Sequence, residues 1–210
     1  MRQFPEFVLT LGVDASGKTS FITKLSQVLG YTVLEPTHSK VATDFKKQHA
    51  DNPVDSAFVH ERRNLFRNLN IAFDARIREE LKEHRVITTG HRLTTDISHA
   101  VMAKIVGDED FSVEDIIEEW KADAPLIPDE IVFTHAPLDV IHSRIQARLA
   151  NGNTGEQMSG FNSIYFLDHY QQALLKATQV LAQEIPVMSG DTSKISIEAG
   201  VSQFIQRNQI

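Results

Sequence analysis

Short apolar runs alternate along the chain with longer segments in which apolar residues recur every three or four positions. Phe7-Val-Leu-Thr-Leu-Gly-Val13 is rich in β-formers and stops at a Gly-containing turn, and Thr19 to Leu29 then carries Phe21, Ile22, Leu25 and Leu29 at helical spacing. Thr32–Leu34 is a second strand, ended by Glu35-Pro36. From about Val54 to Leu81 the stripe Phe66, Leu69, Phe73, Ile77 and Leu81 predicts one long helix, after which Arg85–Gly90 reads as a third strand. Ser112 to Asp115 has the pattern of a capping box, opening a helix to about Ala122 that Pro125 and Pro128 close. Glu130–His135 is a fourth strand, followed by a helix from about Leu138 to Leu149. Ala150-Asn-Gly-Asn-Thr-Gly155 has the composition of a loop. A helix over about Ile164–Gln183, a strand at Pro186–Ser189 and a helix over about Ile197–Ile205 complete the pattern. Strands alternating with helices predict an α/β fold, a five-stranded parallel sheet with helices on both faces. No repeat or linker divides the chain, so residues 1–210 are expected to form one domain with a short lid at about 149–158.

One motif narrows the chemistry. Gly12-Val-Asp-Ala-Ser-Gly17-Lys18-Thr19 matches G-x-x-x-x-G-K-[ST] and lies between a predicted strand and a predicted helix, the context of a true P-loop. Glycines there let successive backbone N–H groups curl around a phosphate at a helix N-terminus, where the helix dipole also favours negative charge. Lys18 would reach the β- and γ-phosphates of ATP, and the Thr19 hydroxyl would bind Mg²⁺. A switch GTPase is disfavoured, because no Asn-Lys-x-Asp motif is present and the Asp-x-x-Gly at Asp14–Gly17 lies inside the P-loop itself. A motor-type ATPase is disfavoured too, since the internal apolar strands run into Gly90-His91 and Thr134-His135 instead of an aspartate.

A small-molecule kinase instead uses lid arginines on the transferring phosphoryl group. Arg144 and Arg148 are four apart on a predicted helix that leads into the loop-like segment, although a solvated helix face would use the same two residues. Arg92 and Glu35 follow strands three and two, where ligands bind in doubly wound folds; structural ion pairs are the alternative for each.

Charge and composition remove other classes. With 28 acidic residues against 21 Lys and Arg, the net charge is −7, which argues against a nucleic-acid binder. The absence of cysteine removes disulfides, thiolate catalysis and Cys-based zinc sites together. The nine histidines show no metal-ligand spacing. No apolar stretch approaches the ~18 residues of a membrane span, so a cytoplasmic enzyme is expected.

These residues resemble the thymidylate kinases among the nucleoside-monophosphate kinases. The resemblance rests on Asp14 within the P-loop, Glu35-Pro36, Phe66 four residues before Asn70, Gly90-His91-Arg92, Pro128-Asp129, Arg144-Ile-Gln-Ala-Arg148 and Tyr170. It implies an ATP site of Gly12, Ala15, Ser16, Gly17, Lys18, Thr19 and Ser20, with Asp191 in the Ser189–Ser193 turn bordering the adenine. It implies an acceptor site of Glu35, Phe66, Asn70, His91, Arg92 and Tyr170, in which Arg92 binds the acceptor phosphate and Phe66 stacks on the base. Catalysis would fall to Lys18, Asp14, Arg92, Arg144 and Arg148.

Departures from the family pattern point at the acceptor. His91 and His135 stand where the family has aspartates, so Mg²⁺ would rest on Thr19, Asp14 and phosphate oxygens. Asn70 replaces an arginine that donates to a thymine carbonyl; an amide both donates and accepts. The Tyr-Gln pair expected beyond Arg92 has no counterpart in Ile97-Ser-His-Ala100, and Asn151–Gly155 carries no basic residue. The expected activity is ATP-dependent phosphoryl transfer to a small-molecule nucleotide acceptor, a pyrimidine deoxynucleoside 5′-monophosphate whose base can be modified. Kinases of another nucleoside or base hydroxyl, or of a polynucleotide end, and a non-catalytic nucleotide-binding regulator stay open. A homodimer is compatible with this reading.

Overall fold

The near-continuous burial of the inner strands, with successive side chains turned to opposite faces, explains why this sequence makes a sheet covered on both faces. The computed structural model describes residues 4–36, 41, 44–45, 55–108, 112–123, 126–151 and 164–209. Five parallel strands, β1 (Phe7–Leu11), β2 (Thr32–Leu34), β3 (Val86–Thr88), β4 (Glu130–His135) and β5 (Val187–Asp191), lie in the order β2-β3-β1-β4-β5. Between and after them run α1 (Lys18–Leu29), α2 (Ser56–Glu80), α3 (Arg92–Ile105), α4 (Val113–Ala122), α5 (Leu138–Ala150), α6 (Ile164–Leu181) and α7 (Ile197–Asn208). Register is set by the central strand, with Val8 opposite Ile87 of β3 and opposite Glu130 of β4.

Val8, Ile87, Val132 and Met188 point to one face, where they meet Phe21, Ile22 and Leu25 of α1 and Val201 and Phe204 of α7. Their sequence neighbours Leu9, Leu11, Ile131 and Phe133 point to the other, against Ile97 and Val101 of α3, Trp120 of α4 and Leu174 of α6. This period-two split is what buries a parallel strand on both sides. The distal half of α2 covers the β2–β3 edge through Phe73 and Ile77.

The predicted elements are present with ends moved by a few residues, and Asp55 caps α2 by accepting from Phe58 N (2.9 Å) while Ser112 caps α4. The expected strand over Arg85–Gly90 is shorter, because Gly90 and His91 leave the ladder to start a helix. That helix, α3, is not anticipated by the sequence pattern, yet it packs on α2 and α6 at the centre of the larger core. The lid expected at about 149–158 lies outside the described residues beyond Asn151, as do Val54 and Pro125. No helix among the described residues is long and apolar enough to cross a membrane.

Two strand-end loops touch at Gly90. A Cβ built there would lie 1.9 Å from Pro36 Cγ and 2.8 Å from Pro36 Cδ, so the loop after β3 is pressed on the loop after β2 with no room for a side chain. Pro36 is a ring and cannot swing aside. Gly90→Ala should therefore cost about 1–3 kcal/mol of stability by overpacking, read as a fall in Tm of roughly 2–10 °C. An unchanged Tm would show that the two loops are not in contact in solution.

Candidate active site

The carboxyl ends of the strands gather the chemistry-bearing residues, and the P-loop is built into the sheet before any ligand arrives. Gly12 has φ 149°, and a Cβ there would fall 2.3 Å from Thr134 O and 2.4 Å from Ser16 Oγ, so only glycine lets the loop leave β1 this close to β4. Ser16 Oγ and Thr134 Oγ1 share a hydrogen bond of 2.9 Å, fully buried. Ala15 adopts φ 60°, a left-handed conformation costing a side-chain-bearing residue about 1–2 kcal/mol. Helix α1 opens at Gly17 with no side-chain cap, which leaves its first N–H groups to a ligand or water.

Lys18 Nζ donates to Gly12 O (2.6 Å) and Val13 O (2.7 Å). Burial pulls its pKa below the usual lysine value, Asp14 opposes that shift, and Arg148 adds to it. Asp14, Thr19, Ser20 and Arg148 are exposed. Arg148 thus acts electrostatically on the P-loop lysine from α5.

Arg144, expected at the transferring phosphoryl group, is bonded to the P-loop and to the turn after β5. Its Nη1 donates to Ala15 O (3.1 Å) and Thr192 Oγ1 (2.9 Å), and its Nη2 donates to Thr192 O (2.9 Å). Thr192 in turn donates from Oγ1 to Ser16 O (2.9 Å) and from N to His135 O (2.8 Å). The guanidinium therefore fastens the P-loop to the turn after β5, since a fork of donors matches carbonyls on two segments. Asp191 closes that same turn: it accepts from Ser193 N (2.9 Å) and Oγ (2.6 Å), which with Lys194 holds its pKa down at about 2.

On the acceptor side, Glu35 is exposed after β2, and Arg92 is the first residue of α3. Arg92 Nε donates to Asp96 Oδ2 (3.2 Å), Arg92 Nη2 donates to Asp123 Oδ2, and Asp123 also accepts from Arg67 Nη2 (3.3 Å). Burial alone would lower the Arg92 pKa, but the bonds to Asp123 and Asp96 outweigh it and hold the pKa above the usual value. The side chain expected to grip an acceptor phosphate is thus already shared by two carboxylates.

His91 is not at the cleft surface. Its side chain is fully buried between Phe7 and Trp120, and its Nδ1 accepts from Leu93 N (3.4 Å) to cap α3, with Thr94 Oγ1 closing the capping box at 3.3 Å. An accepting Nδ1 places the proton on Nε2, 3.7 Å from Asp74 Oδ1. Burial lowers the His91 pKa to about 4 and raises that of Asp74 to about 6.

The expected base readers are covered as well. Asn70 is 1% exposed and Phe66 8%, with the Arg62 guanidinium 4.6 Å over the Phe66 ring. Tyr170 OH donates to Thr94 O (3.0 Å), its phenol pKa raised by burial and by Asp14. Arg62, whose pKa burial lowers to about 10, feels Tyr170 and Asp14, so it belongs to this site although the motifs do not include it. Its place one helical turn before Phe66 is the signal that could have found it. Asp96, Asp123 and Thr192 carry no comparable signal.

Among the described residues no group of three His, Asp or Glu is arranged to hold a metal ion. No family model and no curated sequence matches the chain. Its shape is similar to a deoxyadenosine kinase from M. mycoides, solved with the products dCMP and a flexible dCDP, at 13% identity and a TM-score of 0.72 over 97% of this chain and 100% of that one. It is also similar to the thymidylate kinase of Candida albicans, at 14% identity and a TM-score of 0.66 over 99% of this chain and 92% of that one. The chain has the P-loop kinase fold.

Two outcomes follow from these contacts. In Arg144→Lys the planar fork that reaches Ala15 and Thr192 from two nitrogens is lost, and stability should fall by about 1–3 kcal/mol. Adding Thr192→Ala should cost less than it does in the wild type, because the Arg144–Thr192 Oγ1 bond is already lost and only the bond that Thr192 Oγ1 donates remains to be removed, a non-additivity that a double-mutant cycle measures. Acidification tests the opposed shifts of His91 and Asp74. The unfolded chain protonates His91 first between about pH 6.5 and 4, which removes stability as pH falls. The folded chain protonates Asp74 first between about pH 6 and 3.8, which adds stability as pH falls. Asp74→Asn leaves the His91 effect unopposed, so its urea midpoint should drop more steeply than wild type from pH 6.5 to 4. Parallel profiles would show that burial does not raise the Asp74 pKa in the folded chain.

Proposed function

We propose that the protein is a P-loop phosphotransferase that moves the γ-phosphate of ATP to a deoxynucleoside 5′-monophosphate, with a pyrimidine base as the resemblance implies. The observation that carries it is the P-loop itself, strained at Ala15, braced by Thr134, Arg144 and Thr192, and bordered by Lys18 and Arg148. Such a loop stabilises negative charge developing between donor and acceptor. The similarity in shape to a deoxyadenosine kinase and a thymidylate kinase supports the same chemistry.

Mg²⁺ fits this donor set: the exposed Thr19 hydroxyl and Asp14 carboxylate are hard oxygen ligands beside the phosphate site, and the ion would neutralise phosphate charge. Lys18 would orient the phosphates and Arg148 would add positive charge on the lid side.

A deoxynucleoside acceptor is the second reading. Arg92 favours it, because a monophosphate there would meet Asp96 and Asp123 as well as the guanidinium. Labelled ATP with deoxynucleosides, their monophosphates and short DNAs separates the two, and transfer to none of them would refute the proposal. Lys18→Ala should lower turnover about 10²–10³-fold, the effect of one lost electrostatic donor, with Tm kept. Wild-type turnover in that variant would remove the P-loop from the reaction.

A further inference from the structure

Two guanidinium groups from different elements converge on one carboxylate oxygen. Arg92 Nη2, from the first turn of α3, and Arg67 Nη2, from α2, both donate to Asp123 Oδ2, the latter at 3.3 Å. Arg92 Nε is taken by Asp96 at 3.2 Å, so the guanidinium uses a separate nitrogen for each carboxylate. Of the two, Asp123 is the one nearer solvent, its side chain 38% exposed against 19% for Asp96. Arg67 lies at the rim beside it, and Arg92 lies deeper.

Nothing in α4 itself calls for a carboxylate here. Asp123 is the C-cap of α4, at the negative end of the helix dipole, where a basic residue is the favourable choice. The bonds and charges of Arg92, and then of Arg67, hold its carboxyl below the usual pKa range. The arginines thus keep the charge in place, and the helix does not. Guanidinium groups recognise carboxylate and phosphate oxygens by the same charge-assisted bonds, so this is a place for an anion that the chain fills with its own side chain. The place also communicates with the P-loop. Thr94, in the same turn of α3 as Arg92, accepts from Tyr170 OH at 3.0 Å, and Tyr170 feels the charge of Asp14.

We propose that Asp123 is a specificity residue whose carboxylate occupies the place of an acceptor's anion between Arg67 and Arg92. An anionic acceptor enters by taking over the two Nη2 donors and releasing Asp123 to water. A neutral nucleoside leaves the ion pairs intact. The exchange subtracts the Asp123 bonds from the binding of every 5′-monophosphate, and so sets how strongly a monophosphate is preferred over its nucleoside. The inference rests on the acceptor being a nucleoside or its monophosphate, and it names the residue that regulates the choice between them.

Calorimetric titration of the full chain reads this exchange without requiring catalysis. The probes are deoxycytidine, deoxyadenosine and thymidine, each also as its 5′-monophosphate, with a saturating non-hydrolysable ATP analogue present so that the P-loop is filled. Asp123→Asn keeps the shape and removes the charge. It should raise the preference for a monophosphate over its nucleoside at least about tenfold, the scale of one charge-assisted hydrogen bond. Asp123→Glu, which restores the charge, should return the preference most of the way to wild type. Arg67→Ala weakens the resident carboxylate and the incoming phosphate alike, and should change the wild-type preference less than about threefold. In the Asp123→Asn background only the phosphate uses Arg67, and the same substitution should lower the preference at least about tenfold. Where a nucleoside binds too weakly to measure, the monophosphate affinity alone is compared.

A preference unchanged or lowered in folded Asp123→Asn, or an equal effect of Arg67→Ala in both backgrounds, would overturn the inference. So would binding of none of the six probes to either wild type or Asp123→Asn. Asp123→Ser takes the place of the amide variant if that variant does not fold. The expected shifts without transfer from labelled ATP would leave the Asp123 assignment standing and refute the kinase reading.

Discussion

The approach of the P-loop backbone to β4 sets the geometry of everything around it. Gly12 lies so near Thr134 that no side chain fits, and the buried Ser16–Thr134 bond fixes the loop against the strand. With the loop held there, its turn at Ala15 stays left-handed at a cost the surroundings must offset, and Arg144 and Thr192 supply bonds to the Ala15 and Ser16 carbonyls. Pre-organisation of this kind means a phosphate meets N–H groups already aimed at it, with little reorganisation left for the moment of binding.

The start of α3 is organised by charge. Arg92, Asp96, Asp123 and Arg67 form one linked group in which each charge has an opposite neighbour, so the start of α3 is stiffened by ion pairs that are partly buried. Behind them His91 caps the same helix through a bare nitrogen. The cap and the ion pairs act on the same few residues. The position of Arg92 therefore depends on the protonation of its neighbours as well as on packing.

Elements written as one unbroken apolar run or one helical stripe were legible in the sequence. β1, α1 and β4 are of this kind, and the P-loop between β1 and α1 carries a spacing that few other structures use. Helix α3 was not legible, because its core face includes Ser98 and His99 while Ile105 is exposed, and Thr94-Thr95 at its start reads as β-forming. The site was legible where function is local to a motif, as at Lys18 and Thr19. Arg144 and Arg92 could be placed near the phosphates by position, but their partners Thr192, Asp96 and Asp123 come from other segments that spacing along the chain does not connect. His91 looked like a replaced carboxylate, and only the packing against Phe7 and Trp120 identifies it as a buried cap.

The contact between Gly90 and Pro36 makes two loops into one mechanical part. Glu35 precedes the proline, and His91 and Arg92 follow the glycine, so the ends of β2 and β3 transmit force to each other without a slack joint. A molecule that draws Glu35 inward must also load the first turn of α3, and through Arg92 and Asp123 the end of α4. A displacement of either strand end would then carry three segments together, with their compliance set by how stiffly a proline ring rests on a bare α-carbon.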